Sequence, residues 1–183
     1  MKTIGQSLLL ASALVVPPVG AQVIDPSGDL AVRTFTTAVE RYADLRDRLA
    51  EPVRPQRPSR DSWSALITRR YLASAVRAAR RDARAGCIFT TAVGALIRER
   101  LARALTSAER QLLAGPGGDE SAAPLPLVNE PLPAEWLVLV PLHAADELPP
   151  LPHGIEYRLT GTTLLLWDPE AEIVIDFLPD AVN

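Results

Sequence analysis

The chain is poor in the residues that usually carry chemistry or cross-links. Its 183 residues include one cysteine, one methionine, two histidines and only 5% aromatic side chains. Cys87 stands alone, which excludes an intramolecular disulfide, so stability has to come from burial. No Gly-x-Ser-x-Gly elbow, phosphate-cradling glycine loop, paired-cysteine zinc pattern or dinucleotide fingerprint occurs, so no cofactor is expected. Lysine is missing after Lys2, leaving 18 arginines as the basic residues of the rest of the chain. Codon choice in a GC-rich genome explains this better than a need for bidentate carboxylate or phosphate contacts. No apolar run reaches the roughly 20 residues that a membrane span takes.

What is present begins with a leader. Lys2 gives a positive start, no acidic residue occurs in the first 21 positions, and Leu8 to Val16 are continuously apolar or small. Pro17 and Pro18 close that run, and Val19-Gly20-Ala21 supplies the small side chains read at a cleavage site. This order is the secretory pattern. Residues 1–21 therefore read as a signal peptide, with export to the periplasm or outside the cell. With 48% hydrophobic and 22% charged residues, the remainder is globular in composition and long enough for one core.

Charge is divided along the chain. From Gln22 to Arg110, 17 arginines stand against 10 acidic residues, a balance of +7; from Gln111 to Asn183, one arginine stands against 12, a balance of −11. Either the two halves meet each other or the basic half meets an anionic partner. The first is favoured, because the complementary charge is already in the chain.

Residues 22–114 read as helical. Val32, Phe35, Val39, Tyr42, Leu45 and Leu49 recur at steps of three and four, predicting a helix over Leu30 to Leu49 capped by Asp29. Pro52, Pro55 and Pro58 with interleaved arginines form a stiff basic connector. A second helix is predicted from Trp63 to Ala85, stopped by Gly86. Arg69, Arg70, Arg77, Arg80, Arg81 and Arg84 share one arc of about 120°, opposite Ile67, Tyr71, Leu72, Ala75, Val76, Ala79 and Ala83. Trp63 and Leu66 fall on the arginine side. That stripe is a solvated face, a contact with the acidic half, or a seat for an outside anion such as a lipid headgroup. Thr90 caps a third helix, Thr91 to Leu105. Thr106-Ser107-Ala108-Glu109 has the spacing of a capping box for a short fourth helix to Ala114.

Residues 115–152 are proline-rich and read as a long surface connection, with Trp136 to Val140 as a short strand or buried anchor. From 153 to 183 the period changes to two. Ile155, Tyr157 and Leu159 alternate with polar residues, Thr163 to Trp167 is apolar on both faces, and Ile173 to Phe177 follows a turn. The expected class is α+β, with three or four helices covering a three-stranded antiparallel meander. Asp168 and Asp176, flanking the last turn, read as turn-capping and solvated strand-end residues.

The layout resembles that of a group of uncharacterised exported bacterial proteins. The likeness lies in Gly86-Cys87-Ile88-Phe89-Thr90 closing a helix, a proline-rich middle, and Leu148-Pro149-Pro150-Leu151-Pro152-His153-Gly154-Ile155-Glu156-Tyr157-Arg158-Leu159-Thr160-Gly161 followed by Leu165-Leu166-Trp167-Asp168 and Ile173-Val174-Ile175-Asp176. An acidic residue is usual in that group where this chain has Cys87. The C-terminal hairpin is also similar to that of periplasmic nickel and cobalt homeostasis proteins. The first resemblance implies export and layout, and the second a metal-responsive role.

Two sets of candidate site residues follow. Trp63, Leu66, Arg69, Arg70, Arg77, Arg80, Arg81 and Arg84 would form a binding face for an envelope protein or an anionic surface. His143, Asp146 and Glu147, at i, i+3 and i+4, with His153, would be the ligands of a metal-responsive accessory protein. A small hydrolase is the third reading and requires a concave pocket that joins polar residues of both halves. No catalytic residue is singled out, and no nucleic-acid partner is expected. If the leader is removed, N-terminal mass spectrometry of the exported product finds a start near Gln22; a product retaining Met1 and Lys2 would contradict it.

Overall fold

The computed structural model describes residues 26–53, 62–114 and 126–182. The leader, most of the arginine–proline connector and residues 115–125 lie outside the described residues. The first helix, α1, spans Pro26–Ala50. Proline is tolerated at a helix start because its missing N–H has no intrahelical partner there. Asp29 therefore sits inside the first turn, where a carboxylate suits the helix dipole, and not at the predicted cap. Phe35, Val39 and Tyr42 of the expected face are buried.

Helix α2 spans Ser62–Ala79, six residues shorter at its C-terminus than predicted. The Arg80 carbonyl accepts a hydrogen bond from Asn129 Nδ2 at 3.0 Å, and the chain leaves the helical path there. Helix α3, Thr91–Ala104, starts at the Thr90 cap and buries Val93, Gly94, Ile97 and Leu101. Helix α4, Ser107–Ala114, has the expected capping box. Thr106 Oγ1 accepts from the Glu109 amide at 3.2 Å while Glu109 accepts from the Thr106 amide at 2.8 Å.

The sheet has four strands, one more than the meander predicted from the sequence. They are β1 Val138–Leu139, β2 Glu156–Thr160, β3 Thr163–Asp168 and β4 Ile173–Leu178, antiparallel in the order β1-β2-β3-β4. The short helix α5, Leu142–Ala145, lies between β1 and β2. The added strand comes from the segment read as a strand or anchor, with Val138 opposite Leu159. The stretch from 126 to 152 is more than a surface connection, since Leu132, Val140, Ala144 and Leu148 are buried. The class is α+β.

One core joins helices and sheet. Phe35, Leu72, Ile97 and Leu101 pack with Leu159, Leu164, Leu166, Ile173 and Ile175, each burial stabilising by about 1.5–3 kcal/mol. On the other side of the sheet, Leu165, Trp167 and Val174 pack with Leu132, and Trp136, Leu137 and Phe177 close over them. Both faces of β3 are thus covered, as its two-sided apolar pattern implies. Among the described residues no helix is long and apolar enough to cross a membrane.

Candidate functional site

The polar chemistry of the molecule is concentrated where the helices meet the sheet. Pairing of β3 with β4 slips at Leu166/Trp167, so that Leu166 faces Asp176 while Trp167 faces Val174, leaving Ile175 as the extra residue of a bulge. Strict alternation from Ile173 would turn Asp176 away from the helices. The bulge instead allows Ile175 and Asp176 both to face them. Asp176 is fully buried. Its Oδ1 accepts from the amides of Gly86 (2.8 Å) and Phe177 (2.9 Å), and its Oδ2 from those of Ile88 (2.7 Å) and Phe89 (2.8 Å). Gly86 takes φ +80°, a left-handed conformation suited to glycine, which lets the loop wrap the carboxylate.

Two further ties run from α1. Tyr42 donates to Asp168 Oδ2 at 2.6 Å, while Asp168 Oδ1 accepts from the amides of Glu170 and Ala171. Asp168 therefore caps its turn as expected, but neither it nor Asp176 is a solvated strand-end residue: both are wholly buried. Arg46, also buried, donates to the carbonyls of Gly154 (2.8 Å) and His153 (3.2 Å) and pairs with Asp47 at 3.0 Å. Periodicity marked the α1 face as apolar and gave no sign of this arginine.

The arginines of α2 and its C-terminal turn divide between inside and outside. Arg80 donates to Asn129 Oδ1 at 2.6 Å and to the Ile175 carbonyl at 3.0 Å, and its guanidinium lies 5.0 Å from the centre of the Tyr42 ring. Arg77 donates to the Asn129 carbonyl at 3.1 Å and lies 3.6 Å from Glu130. Arg69 pairs with Glu172 at 2.8 Å. Arg84 donates to the carbonyls of Arg81 and Ala83, Arg81 lies 3.6 Å from Asp82, and Arg70 is exposed.

These contacts turn the helix roughly a quarter turn from the predicted orientation. Leu72, Ala73 and Val76 are buried, and at about 100° per residue Arg69 and Arg80 share their arc. Ile67, Tyr71 and Ala79, expected inside, are exposed, whereas Leu66 is half-buried. Trp63, Ile67 and Tyr71 are 62%, 51% and 49% exposed and stand at steps of four, so they form one outward stripe.

The polar groups of the junction are already engaged with one another. Burial and the Asp168 carboxylate, which Tyr42 also hydrogen-bonds, push the Tyr42 phenol far above its ordinary range against the pull of Arg80 and Arg46. Partial burial and Asp176 raise the Cys87 thiol, although Arg80 Nη2 lies 3.7 Å from its sulfur. A phenol and a thiol shifted upwards are poor bases and poor nucleophiles at neutral pH. The arrangement is a fastening between halves.

A groove of about 780 Å³ joins polar residues of both halves, as the hydrolase reading requires. Glu40, Asp44 and Asp47 line it from α1, and His153 and Glu170 from the sheet side. Among the described residues, no serine, threonine or cysteine lines it. His143 lies 3.4 Å from Glu109. Hydrogen bonds from Thr106 hold the Glu109 carboxyl below its usual range, with His143 adding to this. Asp146 caps the single turn of α5, Glu147 is exposed, and His153 belongs to the groove. Among the described residues no group of three or more His, Cys, Asp or Glu side chains is placed to hold a metal ion. No protein-family model, curated protein or solved structure matches the chain.

Replacing Asp176 with Asn turns an NH2 group towards two buried amide donors. The expected loss is at least about 3 kcal/mol in urea unfolding, against about 0.5 kcal/mol or less for Asp146→Asn on the surface. Tyr42 yields a pH prediction. Its folded pKa lies above the unfolded value of about 10, so the stability it supplies is present below pH 10 and declines as pH rises beyond that value. Tyr42→Phe should lose about 1–3 kcal/mol at neutral pH and show a shallower alkaline decline in melting temperature than the parent. An equal alkaline slope would contradict the buried Tyr42–Asp168 contact.

Proposed function

We propose that the protein is an exported, non-enzymatic binding module of the bacterial envelope whose contact surface is the outer face of α2. The observation that carries this is the Trp63–Ile67–Tyr71 stripe. Three large side chains stay exposed at helical spacing on a helix whose Arg69 and Arg77, with Arg80 just past its end, are engaged by the C-terminal half. Single exposed apolar residues are ordinary on a protein surface, but an aligned group that includes two aromatics is the composition of a contact patch. The leader and the likeness to exported proteins support the compartment.

Compared with the sequence-based binding set, Trp63 and Arg70 keep their place, Ile67 and Tyr71 join them, and Leu66 leaves it. The engaged arginines at 69, 77 and 80 orient the helix. The acidic groove supports a weaker hydrolase reading, in which His153 and its neighbouring carboxylates would activate water.

A photoreactive residue in place of Ile67, in the full chain in an exporting host, is expected to give a discrete adduct. The same residue in place of Glu99 on α3 should not. No adduct at position 67, or the same adduct from both positions, would remove α2 as the contact face.

A further inference from the structure

We infer that the outer face of α2 docks on an anionic lipid surface, with Ile67 and its flanking aromatics entering the headgroup layer and Arg70 meeting lipid phosphate. This rests on the reading of that face as the contact surface. The stripe from Trp63 to Tyr71 covers eight residue steps, roughly 12 Å of helix. Trp63 and Tyr71 stand at its two ends, and Trp and Tyr are the side chains that favour the boundary between water and hydrocarbon.

Charge selects the sign of the partner. Ser62–Ala79 contains no acidic residue. Arg70 is exposed and has no side-chain partner among the described residues. Just beyond the helix, Arg81 and Asp82 are 82% and 88% exposed and 3.6 Å apart. So exposed a pair contributes little in water and can be exchanged for a lipid phosphate. The carboxylates of Glu172 and Glu130 are turned towards Arg69 and Arg77.

Shape selects the kind of partner. A small anion needs a concave seat lined by donors, whereas this face is the convex side of a helix. Among the described residues, the grooves at Arg46, Trp167 and Gly94 are lined by other residues. A convex face with an apolar centre and a cationic flank suits an extended, deformable, negative surface. The attraction is local, because the whole chain carries a net charge of −3.

The test is co-sedimentation of the full exported chain with vesicles of equal parts phosphatidylglycerol and phosphatidylcholine, compared with phosphatidylcholine alone. Binding to the anionic vesicles is expected, weakening as salt shortens the Debye length from about 10 Å at 0.1 M towards about 3 Å at 1 M. Arg70→Ala should weaken it about fivefold and Arg70→Glu more. Ile67→Ser and Tyr71→Ser should each weaken it, while Arg103→Glu, an equal charge change on α3, should leave it unaltered. Absence of binding to either vesicle overturns the inference, as does equal loss in Arg103→Glu. A dimer in sedimentation velocity that Ile67→Ser dissociates overturns it in favour of a second copy of the chain. If the vesicles fail while crosslinking from position 67 still captures a protein, the lipid falls and the contact face stands. If both fail, both readings fall.

Discussion

A carboxylate taken out of water must recover its hydrogen bonds, and the rest of this structure is arranged around how Asp176 does so. Four backbone amides converge on its two oxygens, three of them from the single loop that separates α2 from α3. Burial of an ionised carboxylate is costly unless donors surround it. This one requirement therefore fixes the path of residues 86–89 against β4. It also makes the β-bulge necessary, since a regular strand would offer the carboxylate to the wrong layer. The end of α2 follows from the same demand. The carbonyl of Arg80, just past the helix, is taken by Asn129, and the chain then turns so that its free amides reach Asp176.

The same logic recurs along the junction. Tyr42 brings α1 to Asp168, and Arg46 brings it to the carbonyls before β2. Each contact joins residues more than 100 positions apart and ties the helical half to the sheet. With no disulfide available, apolar burial supplies most of the stability. The buried polar contacts select one docking geometry among the several that a flat apolar sheet would accept. A buried ion pair often adds little net stability over a well-packed apolar pair, yet breaking one is expensive. Such contacts therefore punish wrong registers more than they reward the right one.

How much of this was legible in the sequence depended on the length scale of the cause. Helices α1, α3 and α4 and the three main strands were readable, because amphipathic period, Thr90 and the Thr106–Glu109 box are local signals. β1 was harder to read, since two residues make a strand only through their partners Leu159 and Arg158. The orientation of α2 departs from its apolar period for a physical reason. Period analysis assigns arginine to water, whereas Arg69 and Arg80 find acceptors in Glu172, Asn129 and Ile175 and take an inward arc. Once they did so, Ile67 and Tyr71 had to turn outwards. Charge asymmetry was the one sequence signal of this, and it marked the halves without naming the partners.

That displacement also explains why the candidate contact face is found where it is. An amphipathic helix normally hides its largest apolar residues, and α2 could have hidden Ile67 and Tyr71 by rotating a quarter turn. Rotation would strip Arg80 from Asn129, from the Ile175 carbonyl and from the Tyr42 ring, and would pull Arg69 from Glu172. The two part-buried hydrogen bonds of Arg80, each contributing about 1.5–3 kcal/mol, outweigh the partial burial of two side chains that already keep half their surface covered, and the exposed Arg69–Glu172 pair adds only a little. The exposed stripe is thus a consequence of the electrostatic fastening of the two halves, held rigidly in view by it. A surface presented in this way loses little conformational freedom when it meets a partner, which is the advantage of preorganisation in binding.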